Sequence, residues 1–324
     1  MISSLFRTFR KFIKQDRIAL VPEQEANDET QRLVNKSLKT PFSFSIDIVD
    51  ACNLRCVHCP RGVYYRKSTS TRMELGIFRH LLDKITDECK CRKIELLNWT
   101  EPFLHPELDK FVYTIKSKKI QCILSSNLSF RNPSRLESVL MHSPGLIVSV
   151  SGFDQKTHER YHKGSNLEQV KSNLQLISEL REKKNLPLYV EIHCLQFTDN
   201  QSDQLLWGKY CNDNGFIFKA KPACCSEVTT PETGKRLLYQ PEFYRDSNGE
   251  TKVCQYFSRD PKFEPCPLHN NIPIDARCDV YLCCVYWNHE QYKIGNYFDI
   301  SLESIQLKRL SNPECLHCTV FRKS

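Results

Sequence analysis

Three cysteines, Cys52, Cys56 and Cys59, follow one another with the spacing C-x3-C-x2-C. Structural zinc usually takes four ligands in two well-separated pairs. Three thiolates on one short loop suit a cubane instead. Each grips one iron, and the fourth iron stays open to a small ligand. A second set lies near the end of the chain: Cys266, Cys283, Cys284, Cys315 and Cys318. Cys315 and Cys318 form a C-x2-C pair. Cys266 and either Cys283 or Cys284 bracket a predicted β-hairpin, with Ile272–Ile274 and Val280–Leu282 flanking a polar turn. Two ligands around a hairpin and a distal pair make a four-cysteine site, for zinc or for an iron–sulfur cluster.

The elements that must position these cysteines are legible as alternating strand and helix patterns. Phe42–Val49 alternates with period two, and Lys93–Leu97, Gln121–Ser125, Leu146–Val150, Leu188–His193 and Phe216–Lys219 are short β-rich runs. Helical spacing links Met73, Leu75, Phe78, Leu81, Leu82 and Ile85. It also links Phe111, Val112 and Ile115, then Leu167 to Leu180, then Leu205, Leu206 and Tyr210. Repeated β–α units imply a parallel sheet with right-handed crossovers. The predicted fold is α/β: a partial (β/α)6 TIM-type barrel with a small C-terminal hairpin-and-helix extension. In such folds the site lies at the C-terminal ends of the strands, where Cys52, Cys56 and Cys59 fall. The predicted organisation is an N-terminal amphipathic helix and polar connector over 1–40, the barrel over 41–222, a linker over 223–262 and the extension over 263–324.

Composition narrows the class. The chain has 324 residues, 17 cysteines and a net charge of +8. A disulfide framework belongs to small secreted domains; this chain is large, has an odd cysteine count and shows no secretory signal. No apolar run approaches the roughly 20 residues of a membrane span, and a cytoplasmic location is expected. The basic residues are spread along the chain, so nucleic-acid binding has no strong signal. Ile2, Leu5, Phe6, Phe9, Phe12 and Ile13 share one helical face, with Arg7, Arg10, Lys11 and Lys14 opposite. Residues 2–14 therefore suit either contact with a membrane surface or packing on the chain's own domain.

Asp50-Ala-Cys52-Asn-Leu-Arg-Cys56-Val-His-Cys59, directly after the first predicted strand, resembles the signature of the radical S-adenosylmethionine (SAM) superfamily. His58 stands where that family often has an aromatic residue. The resemblance implies a [4Fe–4S] cluster whose open iron takes the amino and carboxylate groups of SAM. One electron from the reduced cluster then splits SAM, and the resulting radical takes hydrogen from a substrate carbon. Leu97-Asn98-Trp99-Thr100-Glu101-Pro102 is similar to the family's G-G-E-P segment, with Trp99 and Thr100 in place of the glycines. Ser126-Asn127 looks like its Thr-Asn-Gly, and Ser149-Val-Ser151-Gly152 like its Ser-Ile-Asp-Gly. Thr100, Glu101, Asn127 and Ser149 are therefore the expected SAM contacts. Cys194–Asn200 also looks like a family element, so the likeness covers roughly residues 43–221.

Ile274-Asp275-Ala-Arg-Cys278-Asp-Val-Tyr-Leu-Cys283-Cys284, then Ile294-Gly295-Asn296 and Ser301–Ile305, resemble the C-terminal extension called SPASM or its shorter relative called twitch. Cys278 takes the place of the usual glycine. The resemblance implies one auxiliary [4Fe–4S] cluster beside the SAM-binding one, with an electron donor such as flavodoxin or ferredoxin. It points to oxidation of a small sugar-like or cyclitol-like substrate, as in twitch-bearing dehydrogenases of aminocyclitols. The alternatives are modification of a ribosomally made peptide, RNA modification, and a non-catalytic module that keeps its metals for structure. Cys224 and Cys225 are either core or loop residues or groups that approach the substrate, and Tyr286, His289 and Glu290, beyond the hairpin, either belong to a solvated loop or face the pocket.

Overall fold

A computed structural model describes residues 28–56, 59–63, 69–142, 145–196, 200–222, 243–245, 251–253, 268–284, 292–312 and 315. Six parallel strands form the body: β1 (Phe42–Ile46), β2 (Cys91–Leu96), β3 (Gln121–Ser126), β4 (Gly145–Val150), β5 (Tyr189–Gln196) and β6 (Ile217–Pro222). The sheet is open. Its first five crossovers carry α2 (Pro60–Val63), α3 (Leu75–Glu88), α4 (Leu108–Ser117), α5 (Pro133–Leu140), α6 (Gln155–Tyr161), α7 (Leu167–Lys184) and α8 (Gln201–Asp213).

The helices form where the apolar spacing predicts. α3 buries Phe78, Leu81, Leu82 and Ile85, and α4 buries Leu108, Phe111, Val112 and Ile115. Both sets follow the i, i+3, i+4, i+7 stripe of a core-facing helix. They join one core with Phe42, Phe44, Ile46, Ile94, Leu96, Leu124 and Val148, the strand residues of one face. Phe78 and Phe111 touch with ring centroids 4.6 Å apart. Alternation sends Ser43, Ser45, Lys93, Glu95, Glu191 and His193 to the other, inner face. Helix starts are capped by side chains: Asn132, Asp154 and Asn166 accept from Arg135, Thr157 and Gln169 amides.

The predicted hairpin is present, as β9 (Asn271–Ile274) antiparallel to β10 (Asp279–Tyr281), with β11 (Lys293–Asn296) beyond. Its placement is new relative to the sequence reading. β9 runs parallel to β1, with Ser43 opposite Asn271 and Ile46 opposite Ile274. The extension therefore continues the barrel sheet, in the order β11-β10-β9-β1-β2-β3-β4-β5-β6. Cys278 sits at φ +66 in the turn. The backbone thus keeps the left-handed form that favours glycine, with a buried thiol in its place.

Two expectations change. Residues 28–38, read as polar connector, are a helix, α1 (Asp28–Leu38). Val34 on it is fully buried, and Ser37 meets Asn270 at 2.8 Å and Gln306 of α9 (Leu302–Leu310). Within the span read as linker, β7 (Phe243–Arg245) pairs antiparallel with β8 (Thr251–Val253). The basic helix expected over residues 2–14 lies outside the described residues. Among those described, no helix is long and apolar enough to cross a membrane.

Candidate functional site

The loop after β1 carries Cys52, Cys56 and Cys59, all half-buried. Loops from the ends of three neighbouring strands hold it. After β2, the Glu101 amide donates to the Ala51 carbonyl at 3.0 Å. After β3, the Asn53 side chain donates to the Ser129 carbonyl at 2.7 Å and accepts from Asn127 Nδ2 at 2.9 Å. After β4, the Arg55 amide donates to the Lys163 carbonyl at 2.9 Å. Each such bond contributes on the order of 1 kcal/mol net. Together they fix a loop that has almost no regular structure of its own.

The loop then turns into the short helix α2. Gly62 on it lies against the cysteine loop so closely that a Cβ would come within 2.2 Å of the Cys56 carbonyl oxygen. Only glycine fits there. The Cys59 amide donates to the Cys56 carbonyl at 3.2 Å, and the Leu54 amide to Cys52 Sγ at 3.4 Å. The amides of Arg61 and Gly62 face the Cys59 sulfur.

The sulfurs of Cys52 and Cys56 feel their neighbours. Burial, then the Glu101 carboxylate and Cys59, push Cys52 up to about 12. Burial, then Cys59 and Cys52, push Cys56 well up. Three crowded, partly desolvated sulfurs stay protonated unless bound cations replace their protons; as bare thiolates they would be an unfavourable set. Thiols spaced around a loop fit a cluster whose irons are ligated separately. Amides aimed at Cys59 and the cradle at Gly62 fit the same group.

The expected SAM contacts have the following partners. Glu101 is 2 % exposed. Its carboxylate accepts from Ser126 Oγ at 2.9 Å, the Asn127 amide at 2.9 Å and the Phe103 amide at 3.2 Å. Burial nevertheless raises it to about 7. Asn127 Oδ1 accepts from the Ser129 amide at 2.8 Å, which with the Asn53 bond engages both ends of its amide. Thr100 Oγ donates to Asp47. Ser149 lies half-buried on β4, opposite His193 of β5. Glu101 and Asn127 are thus brought together as a tie between strand ends.

The sequence reading missed a polar seam between this loop and the extension. Asp47, at the end of β1, accepts from the Trp99 amide at 3.3 Å and from Thr100, and burial raises it to about 7. Trp99 is buried, packed edge-on against Tyr281 of β10 with centroids 6.0 Å apart. Trp99 therefore fills the junction with the extension. Asp275 accepts from Tyr281 Oη at 3.0 Å and from the amides of Arg277 and Asp279. A cavity of about 10 Å³ between Asp47, Asp50, Arg61, Thr100 and Asp275 has room for about one water. The signal available in the sequence was the Pro60-Arg61-Gly62 run after Cys59.

A larger cavity, about 250 Å³, opens at the other end of the barrel among Arg92, Lys93, Glu95, Gln121, Tyr189 and Glu191. These residues begin their strands, so the cavity lies away from the cysteine loop. Nearby, burial opposes the charge of Glu191, yet Lys219, Tyr189 and His193 hold it down at about 2.

In the extension, Cys283 and Cys284 follow β10 with their thiols in hydrogen-bonding reach. The Cys315 amide donates to Asn312. Cys266 and Cys318 lie outside the described residues, as do His58, Cys224, Cys225, Tyr286, His289 and Glu290. The predicted four-cysteine site is therefore described only at Cys283, Cys284 and Cys315.

An open, mostly parallel sheet with helices on it is a fold also found in known proteins. Residues 46–193 match the Radical SAM superfamily. No curated protein matches the chain. Among solved structures, the chain is similar to SuiB of Streptococcus suis bound to S-adenosylmethionine, at 16% identity and a TM-score of 0.62, over 90% of this chain and 74% of that one. It is similar to the same SuiB bound to its precursor peptide SuiA, at 14% identity and a TM-score of 0.62, over 98% of this chain and 83% of that one. It is also similar to anSMEcpe with bound AdoMet, at 16% identity and a TM-score of 0.58, over 82% of this chain and 80% of that one. At these identities the likeness is one of fold, an open α/β sheet.

Proposed function

We propose that the chain is a radical SAM enzyme whose Cys52, Cys56 and Cys59 hold a [4Fe–4S] cluster. The observation that carries this reading is the crowded thiol set on the loop after β1, inside the segment that matches the superfamily. With SAM bound, such a cluster supplies a carbon radical able to take hydrogen from an unactivated substrate carbon. The chain's own groups do the rest. Asn53 and the backbone at Ala51 and Arg55 hold the loop against three strand ends. Glu101 keeps the β2 and β3 ends together beneath it. Thr100, Asn127 and Ser149 line the strand ends over which SAM would lie.

Cys283, Cys284 and Cys315, with Cys266 and Cys318, are proposed to hold a second cluster that takes an electron from the substrate radical, in an oxidation of a small sugar-like molecule. Peptide modification is the second reading. It is supported by the fold likeness to SuiB, a protein seen with a precursor peptide. A flavodoxin or ferredoxin would supply the first electron in either case.

The test is anaerobic reconstitution followed by assay of 5′-deoxyadenosine. Wild type is expected to hold about eight irons and to form 5′-deoxyadenosine only with SAM and reductant. Cys56→Ala is expected to hold about four and form none. A fully loaded wild type that leaves SAM intact would make the chain a binding module.

A further inference from the structure

We propose that Arg61 is a positioning and charge-tuning residue for the cluster on Cys52, Cys56 and Cys59, with Asp50 as its opposing charge. The inference rests on the radical SAM reading above and goes beyond it by assigning a role to a residue outside the ligand set.

Arg61 is 7 % exposed, and its guanidinium is fixed on two sides. Nε donates to the Trp99 carbonyl at 3.2 Å, and Nη1 to the Asp50 carbonyl at 3.5 Å. Nη2 pairs with one Asp50 carboxylate oxygen. The other Asp50 oxygen accepts from Thr69 Oγ at 3.0 Å and lies 3.9 Å from Arg277 of the extension. Asp50 precedes Cys52 and Arg61 follows Cys59, so this ion pair closes the base of the cysteine loop. The planar fork that reaches Trp99 and Asp50 together belongs to arginine; lysine offers a single point of attachment.

The position has an electrical consequence. Arg61 follows Cys59 by two residues and its partner Asp50 precedes Cys52 by two, so both charges sit at the base of the loop, where Gly62 packs against the Cys56 carbonyl. A fixed charge in a buried site is poorly screened. Cluster potentials respond to nearby net charge and to hydrogen bonds on sulfur. Arg61 therefore stabilises the reduced cluster, which carries one more negative charge, and Asp50 opposes it.

The two partners then predict opposite signs. In the reconstituted full-length chain, the cluster is identified by an EPR signal that changes when SAM is added. Its midpoint potential is followed by redox titration. Arg61→Gln is expected to move the potential to more negative values, because it removes the positive charge and leaves Asp50. Asp50→Asn is expected to move it to more positive values. Arg61→Lys keeps the charge, and is expected to stay near wild type in potential while holding less iron per chain. A merely structural role would lower loading in all three without opposite shifts.

Unchanged potentials in loaded Arg61→Gln and Asp50→Asn, or shifts of the same sign, overturn the proposal. If Arg61→Gln fails to take iron, the sign in Asp50→Asn decides alone. A wild type with iron but no SAM-sensitive signal overturns the radical SAM reading itself, an outcome separate from any effect of the variants.

Discussion

Asn127 Nδ2 donates to Asn53 Oδ1 at 2.9 Å, and the same Asn53 side chain donates to the Ser129 carbonyl at 2.7 Å. A side chain at the end of β3 thus grips the middle of the cysteine loop. Asn53→Ala removes both bonds, a loss of about 2 kcal/mol confined to the loop. The barrel is expected to keep its circular dichroism, while iron retention after exposure to air falls severalfold. Asn53→Asp keeps the acceptor for Asn127 and should fall between. Full retention in Asn53→Ala would show that the backbone bonds at Ala51 and Arg55 suffice.

Gly62 makes a sharper demand. A Cβ there would lie 2.2 Å from the Cys56 oxygen and 2.7 Å from the Arg55 carbonyl carbon, so Gly62→Ala must shift the loop or α2. The expected result is a folded protein that no longer assembles the first cluster. Gly76, in the first turn of α3, has nothing within 4 Å of its Cβ position. Gly76→Ala should therefore load normally and gain up to about 1 kcal/mol. The pair is read by iron content and by thermal unfolding; equal loading of both variants would refute the cradle.

Much of this was legible in local sequence. Period-two runs marked the parallel strands, because their apolar residues feed one continuous core, and the cysteine spacing marked the loop. The attachment of β9 to β1 was not legible. A free strand edge leaves no trace in the residues that border it, and Ser43–Ile46 pairs with Asn271–Ile274 across more than two hundred intervening positions. Helix α1 was missed because its surface is polar and a few residues, Val34 among them, carry its packing. Thr100, Glu101 and Asn127 are expected from the motifs as contacts for a ligand; their bonds to the protein groups Asp47, Ser126 and Asn53 were not legible. Short motifs locate such residues at strand ends, but hydrogen-bond direction there depends on loops distant in sequence. Asp47 and Arg61 gave no periodic signal, since each is defined by what surrounds it in the seam.

Asp47 offers a test through pH. Burial, opposed by Thr100, Trp99 and Arg61, raises it from 3.8 to about 7. Below the unfolded value both states hold the proton and its contribution is complete. Between there and about 7 the unfolded chain gives up the proton and the folded chain does not, so stability falls as pH rises. Asparagine is permanently neutral and can accept from Thr100 and Trp99. Asp47→Asn should therefore match wild type near pH ~4 and exceed it near pH ~8, by a few kcal/mol at most. Thermal unfolding across that range checks it. A gap that does not widen with pH would mean that Asp47 is ionised in the folded protein.

Arg309 provides the corresponding test of the extension. It is 3 % exposed. Its guanidinium donates to the carbonyls of Leu282 at 2.8 Å, His269 at 2.6 Å, and Leu268 and Asn271 at 3.0 Å each. One side chain on α9 therefore ties the approach to β9 and the exit of β10, just before Cys283 and Cys284. Arg309→Met removes a donor from all four; Leu268 and His269 keep the Asn271 amide and Gln306 Nε2, and a carbonyl left buried without a donor costs about 1–3 kcal/mol. Lysine recovers only part of this, having no fork to span them. Amide exchange is expected to accelerate across residues 268–282, with little change in β3 and β4. Iron should fall by the content of one cluster, while SAM-dependent 5′-deoxyadenosine formation persists at the first. Acceleration spread equally over β2 to β5 would instead mean that β9 and β1 open together, and that the extension is part of the barrel's own cooperative unit rather than a separable attachment.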